Sequence, residues 1–454
     1  MDRAAPRAAL VPPPQLRGGG RRGVRAAARP LVLDDRARLH GAQRRAAAAV
    51  PAPGRGARAR RAPAHVTDTD VLVVGGGPVG LAAAIEARLA GYDVVVVEPR
   101  TGPVDKACGE GLMPGALRAL QALDVDPDGH VLRGISYRDA HRHADHLFTA
   151  GQGRGVRRTT LHAALAERAA SLGTTTVTGR VENIDETADR VSAAGISARW
   201  LLGCDGLHST VRRLAGLEVG ADAPAHESLL ARSRHGGEGH DGADRPGDEA
   251  APHAARIPSE LGGTAPPVRP GPDPRRRFGL RRHFRVPAWT DLVEVHWGDH
   301  VEAYVTPVAR DVVGIAMLGP TGTHFDEALA GFAGLAERLG DAEPLGPVRG
   351  AGPLRQRSRR RSTGRVRLVG DASGYVDALT GEGLRVGLAQ ASAAVGHLDD
   401  PGAYERDWAR VTRDYRVLTS GLVAWATSPA RRAIVPLAAH VPWLYGKVVE
   451  RLAR

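Results

Sequence analysis

The sequence is poor in several residue types at once. Two cysteines, Cys108 and Cys204, stand in 454 residues. That excludes a disulfide-stapled fold and any four-thiolate metal site. It also fits a reducing compartment, so a cytoplasmic location is expected. Lysine occurs only at Lys106 and Lys447 among 62 basic residues, the usage of a GC-rich genome. Aromatic residues make up 4 %, and none falls in residues 1–66 or 221–274. No run approaches the roughly 18 consecutive apolar residues that a membrane-spanning helix needs.

The two stretches without aromatics read as poorly structured. Residues 1–66 are dominated by Ala, Arg, Pro and Gly and cannot bury enough apolar surface to offset their ordering entropy. They hold fifteen arginines against three acids, which accounts for the whole net charge of +12. The remainder is neutral, so the nucleic-acid reading that a basic chain invites fails for it. Arg21-Arg22 is followed by no apolar stretch and makes no export signal. A mis-called upstream start explains the segment equally well. Residues 221–274 have loop composition and read as a disordered insertion or a locally frameshifted stretch. His235, His240 and His253 lie there at spacings that fit no metal site, and no metal is expected.

Elsewhere apolar periodicity returns. VLVVGGGPVGLAAAIEARLAGYDVVVVE reads as strand, glycine turn, helix and second strand. Gly75, Gly77 and Gly80 form G-x-G-x-x-G between the first strand and the helix that opens at Pro78 and Val79. The first glycine allows the tight turn, the second lets backbone approach a pyrophosphate, and the third lets helix and strand pack closely. The helix start offers N–H groups to phosphate. Glu98 ends the second strand, 18 residues after Gly80, where a carboxylate accepts hydrogen bonds from ribose hydroxyls. An acid there disfavours a 2′-phosphate, so the site suits FAD or NAD.

The C-terminal half selects FAD. In GRVRLVGDASGYVDALTGEGLRVGLAQASAA, a strand at 366–369 runs into Gly370-Asp371. A second glycine-rich turn, Gly381-Glu382-Gly383, then opens a helix. A strand-end aspartate can accept a ribityl hydroxyl, and a second helix start can donate to the electron-rich edge of a flavin. Nicotinamide enzymes have no need of this element.

These motifs, in this order, resemble the FAD-dependent oxidoreductases of the aromatic-hydroxylase and geranylgeranyl-reductase superfamily. The resemblance extends to Val156-Arg157-Arg158-Thr159-Thr160-Leu161, in which Arg158 maps to an arginine near FAD. It includes Gly203-Cys204-Asp205-Gly206, an Asp-Gly motif that contacts FAD in the family. Lys106-Ala107-Cys108-Gly109-Glu110-Gly111 is similar to the Cys-Gly-x-Gly element of the reductase-like and halogenase-like branches, which implies that Gly109 and Gly111 lie against the flavin with Cys108 near its ring, and that Lys106 belongs to the cofactor site. For the thiol, a tight turn with a small buried residue is the other reading. The implied fold is α/β: a Rossmann-type FAD/NAD(P)-binding domain with an inserted mixed β-sheet substrate domain and C-terminal helices. Its expected parts are a tail (1–66), two FAD-binding segments (67–150 and 151–220), the insertion (221–276), a substrate β-domain (277–350), a third FAD-binding segment (351–400) and terminal helices (401–454).

The resemblance implies a monooxygenase in which NADH or NADPH reduces FAD. O₂ then adds at flavin C4a, and the hydroperoxide hydroxylates a small aromatic or hydrophobic metabolite, as in secondary metabolism. A reductase of an alkene or polyprenyl substrate is the alternative. No Ser/His/Asp or paired-carboxylate site is evident, and no catalytic residue is assigned. Two specialisations are disfavoured. The Trp-x-Trp-x-Ile-Pro signature of flavin halogenases is absent, and Tyr304-Val305-Thr306-Pro307 lacks the Trp, Phe and Lys of the geranylgeranyl-reductase element. The terminal helices read as an ordinary lid. A membrane-surface role is disfavoured because Arg431, Arg432 and Pro436 interrupt every apolar run.

Overall fold

The computed structural model describes residues 67–219 and 276–454. The expectations for residues 1–66 and 221–274 lie outside the described residues.

In chain order the first half comprises β1 (Thr67–Val74), α1 (Pro78–Leu89), β2 (Val94–Glu98), β3 (Gly111–Leu112), α2 (Pro114–Gln121), β4 (His130–Leu132), β5 (Gly134–Arg138), β6 (His143–Leu147), β7 (Gly153–Gly155), α3 (Arg158–Ser171), β8 (Thr175–Thr178), β9 (Asp185–Glu186), β10 (Val191–Ala193), β11 (Ile196–Gly203) and α4 (Thr210–Leu214). The second half comprises β12 (Arg277–Arg285), β13 (Leu292–Trp297), β14 (Glu302–Ala309), β15 (Val312–Pro320), α5 (Phe325–Ala330), α6 (Ala333–Leu339), β16 (Glu343–Ala351), β17 (Ser362–Thr363), β18 (Val366–Leu368), α7 (Gly383–Gly396), α8 (Pro401–Ala426), α9 (Ile434–His440) and α10 (Pro442–Ala453).

The first sheet runs β17-β18-β11-β1-β2-β8, with β10 and β9 added beside β11. Strands β18, β11, β1, β2 and β8 are parallel. Parallel strands covered on both faces read as unbroken apolar runs, which is why VLVV and VVVV show no alternation. Val71, Val73, Val94 and Val96 pack toward α1, α7 and α8, whereas Leu72, Val74, Val95 and Val97 form the opposite core. Helix α7 approaches α1 closely: a Cβ on Gly387 would lie 2.4 Å from Val79 Cγ2. This sheet of distant segments, with helices against it, is the expected Rossmann-type domain.

The second sheet runs β16-β12-β15-β14-β13-β5-β6 and is antiparallel except where β13 pairs with β5. Here the expected domain limits need correction. Strands β5 and β6 fall within residues 67–150, assigned above to the FAD-binding domain, yet they complete the second sheet. Ile135 and Tyr137 alternate onto the apolar face that the terminal helices cover, where they are half-buried. Helices α5 and α6 are separated by a break at Gly331-Phe332. Helices α9 and α10 pack on β6.

Candidate functional site

The glycine turn is built as its spacing requires. Gly75 has φ +105°, and a Cβ there would lie 2.6 Å from the Cys204 carbonyl oxygen. A Cβ on Gly80 would lie 1.9 Å from the Gly75 oxygen. Gly77, the N-cap of α1, would instead meet nothing within 4 Å. The first bond into the helix runs from Leu81 N–H to Gly77 O, so the N–H groups of Val79 and Gly80 remain for a ligand. Pro78 has no N–H and presets the first turn. The Val79 side chain packs against Gly370 and Gly387, so only its backbone serves the turn.

Glu98 lies at the end of β2 and is already engaged. It accepts from Gly76 N–H at 2.8 Å, Arg100 N–H at 3.1 Å and Arg100 Nε at 2.6 Å. Burial alone would raise its pKa, but these donors and the Arg100 charge hold it below the usual carboxylate range. The sequence reading left this carboxylate free for a ribose. In the structure the half-exposed Arg100 occupies it, so a ribose there would have to share it with, or displace, Arg100. His162, on α3, braces the same loop: its Nε2 lies 2.9 Å from Gly76 O. A carbonyl partner places the proton on Nε2, and burial keeps the imidazole pKa below its ordinary value.

A cleft of about 360 Å³ opens in front of the turn, and its walls include Gly75, Gly77, Glu98, Lys106, Arg158 and Asp205. Lys106 Nζ lies over Gly206 (φ +84°), 3.1 Å from where a Cβ would stand. Burial lowers its pKa, the Arg100 charge lowers it further, and Asp371 opposes both. The Arg158 backbone N–H donates to Glu110 Oε1 at 2.8 Å, while its Nε is buried without a partner among the described residues. Asp371 stands in the 3₁₀ turn Gly370–Ser373 after β18. Its carboxylate accepts no hydrogen bond from the described residues. Burial raises its pKa, and the Lys106 and Arg158 charges pull the other way.

Other expected site residues are placed differently. The Asp205 carboxylate accepts from Ser209 Oγ at 2.5 Å and Val211 N–H at 3.0 Å, so it fixes the start of α4 while lining the cleft. Glu382 precedes α7, but Oε1 holds Arg385 at 2.6 Å and its side chain senses Asp414 and Arg451 on the far helices. The Glu382 carboxylate is therefore turned from the cleft, and only the backbone of Gly381 (φ +68°) and Gly383 lies at the α7 start. Cys108 Sγ accepts from Glu110 N–H at 3.4 Å and lies 4.0 Å from Arg158 Nη1. A Cβ on Gly109 would meet nothing within 4 Å. Cys204 is buried, and burial pushes its thiol pKa far up.

Sequence reasoning missed a buried polar chain beneath this loop. His283 Nε2 lies 2.5 Å from Glu110 Oε2, Arg281 donates to His283 Nδ1 at 2.9 Å, and Arg281 also pairs with Asp105. A second cluster joins Arg277 to Glu302 at 2.7 Å and to Asp377 at 3.1 Å, and Arg431 to Glu302 at 2.8 Å. One signal was present. Arg277, Arg281 and His283 share one side of β12 by its two-residue period, and that side is buried.

Residues 68–231 match the FAD binding domain family. The chain is 56 % identical over 59 residues to a menaquinone reductase of Mycolicibacterium smegmatis, an alignment spanning 13 % of this chain and 14 % of the relative. It is 30 % identical over 208 residues to a 3-(3-hydroxy-phenyl)propionate/3-hydroxycinnamic acid hydroxylase of Mycobacterium sp. (strain JLS), spanning 42 % of this chain and 37 % of the relative. Across most of its length it shares the fold of a p-nitrophenol 4-monooxygenase from Pseudomonas putida DLL-E4. That match has a TM-score of 0.62 at 17 % identity and covers 86 % of this chain and 99 % of the other. The resemblance to FAD-dependent oxidoreductases and the α/β fold both stand. Among the described residues no group of side chains could hold a metal, and no helix is long and apolar enough to cross a membrane.

Proposed function

We propose that this chain is an FAD-dependent monooxygenase that takes electrons from NADH or NADPH and hydroxylates a small aromatic or hydrophobic metabolite with O₂. The observation that carries the reading is the fit of the cleft to FAD. Gly77 and Gly109 leave open space where a Cβ would stand. The buried Nε of Arg158 lacks a partner among the described residues, and the Asp371 carboxylate is likewise unbonded there. These are the donors, acceptor and bare backbone that a dinucleotide requires.

In this reading the N–H groups of Val79 and Gly80 and the N-terminal end of α1 hold the pyrophosphate. Lys106 and Arg158 balance its charge, Glu98 takes the adenosine ribose and Asp371 a ribityl hydroxyl. Gly381 and Gly383 bring the start of α7 to the ring. Tyr304, which donates to Leu379 O at 3.0 Å, ties the second sheet to the loop ahead of α7. When bound, FAD supplies the hydride-accepting and oxygen-activating chemistry.

Similarity over 208 residues to a hydroxylase supports oxygenation. The short, more identical match to a menaquinone reductase favours the second reading, reduction of an alkene or polyprenyl substrate. One experiment separates them: anaerobic reduction by NADH or NADPH, then mixing with phenolic or isoprenoid substrates with and without oxygen. Product that requires oxygen supports the monooxygenase. Product formed anaerobically replaces it with the reductase.

A further inference from the structure

The outer face of α10 has a composition that the packing of the described residues does not use. Tyr445, Val449 and Leu452 turn inward. The opposite side carries Trp443, Lys447, Arg451 and Arg454 at offsets of four, eight and eleven residues, with Leu444 beside them. All five are exposed, Trp443 to 65 % and Leu444 to 39 %. Leu437, on α9 just before the corner, is exposed to 41 %. Of the six tryptophans in the sequence, the other five are buried or half-buried.

Apart from Asp414 on α8, the charged side chains exposed on this face are basic. Glu450, the sole acid of residues 427–454, is turned to the sheet, where it accepts from Thr149 N–H at 2.8 Å and lies 2.9 Å from His146 Nε2. Lys447 Nζ sits 5.2 Å from the Trp443 ring centre. Arg451 pairs with Asp414 on α8. Arg431, which interrupts the apolar run in the sequence, is withdrawn into its buried pair with Glu302.

We infer that this corner docks on an anionic lipid bilayer surface. Trp443, Leu444 and Leu437 enter the headgroup boundary, and Lys447 and Arg454 meet lipid phosphates. An exposed aromatic and aliphatic tip continued by bases on one helix face is the pattern of an interfacial helix. Positive charge without a free acid selects anionic over zwitterionic lipid. The inference is independent of the reaction proposed above.

The test uses the full chain loaded with FAD and vesicles of phosphatidylcholine, alone or mixed with phosphatidylglycerol. Binding is expected only to the mixed vesicles and should weaken at high salt. A basic residue at such a surface is worth about fivefold in partitioning, so Lys447→Glu should weaken binding on the order of tenfold. Trp443→Ser should act in the same direction. Residues 1–66 are rich in arginine and could hold a vesicle by charge alone, so the deciding readout is local. Brominated lipid should quench tryptophan fluorescence in the wild type, and Trp443→Phe should abolish that quenching while flavin content stays unchanged. Absence of binding, or binding and quenching indifferent to all three substitutions, would overturn the inference. So would a lipid-free dimer that Trp443→Ser dissociates, because the face would then belong to a second copy.

Discussion

Asp371 offers a perturbation whose two effects have opposite sign. Its carboxylate accepts nothing from the described residues and stands near Lys106 and Arg158, with burial raising its pKa despite those cations. A carboxyl group whose pKa is raised by folding binds its proton more tightly in the folded state. Stability is therefore lost as pH rises from the ordinary value of 3.8 through the raised one. Removing the charge should relieve that loss at neutral pH, so the Asp371→Asn apoprotein should melt no lower than the wild type. No helix end is uncapped by the change, because the 3₁₀ turn has no side-chain cap. Cofactor binding should move the other way in Asp371→Ala. Loss of one charge-assisted hydrogen bond to a ribityl hydroxyl costs about 1.5–3 kcal/mol, or about 10- to 150-fold in FAD affinity. The assay is titration of apoprotein into FAD, followed by flavin fluorescence, with melting curves taken without FAD. Two results would refute the reasoning: wild-type affinity in Asp371→Ala, or an Asp371→Asn apoprotein that melts well below the wild type.

Three further outcomes are expected. Gly77→Ala should leave the apoprotein's melting temperature unchanged, because its Cβ meets nothing, yet weaken FAD about tenfold or more by filling the phosphate approach; Gly80→Ala should lower stability itself, since its Cβ collides with the Gly75 carbonyl. The Glu98 pKa is depressed, so its contribution to stability is complete above about pH 4.5 and lost as pH falls through the folded value; urea unfolding between neutral and acid pH should show a shallower decline in Glu98→Gln. Glu302→Ala strands two buried guanidinium groups, Arg277 and Arg431, and should destabilise by about 3–5 kcal/mol in urea; a loss below about 1 kcal/mol would mean that Asp377 alone suffices for Arg277.

What could be read from the sequence was local. Gly75, Gly77 and Gly80 announce themselves because a tight turn, an open approach and a close helix contact each require glycine at a fixed offset. The apolar runs of β1 and β2 and the periodicity of α1, α3 and α7 are equally local. The structure adds what only distant pairing decides. β5 joins β13 across more than 150 residues, and nothing within GISYR names that partner. Strand β16 carries Pro344 and Pro347, lies exposed at a sheet edge and shows no alternation, the form in which proline enters sheets. His162 and the chain through Glu110, His283, Arg281 and Asp105 are assembled from three segments, and a lone histidine on a helix does not show which carbonyl it will meet. Asp205 and Glu382 lie within matching motifs, yet their carboxylates serve α4 and Arg385. A motif fixes the backbone path more closely than it fixes where each side chain ends.

We propose that the cleft lined by the glycine turn, Lys106 and Arg158, with Asp371 near those two cations, holds FAD. The most direct measurement is titration of FAD with the purified apoprotein, followed by flavin fluorescence and by the mass of cofactor released on denaturation. The account predicts saturable binding of one FAD per chain, weakened by both Gly77→Ala and Asp371→Ala while their apoproteins stay folded. FAD that fails to bind a folded wild-type chain, or binds it with an affinity neither substitution changes, would contradict it.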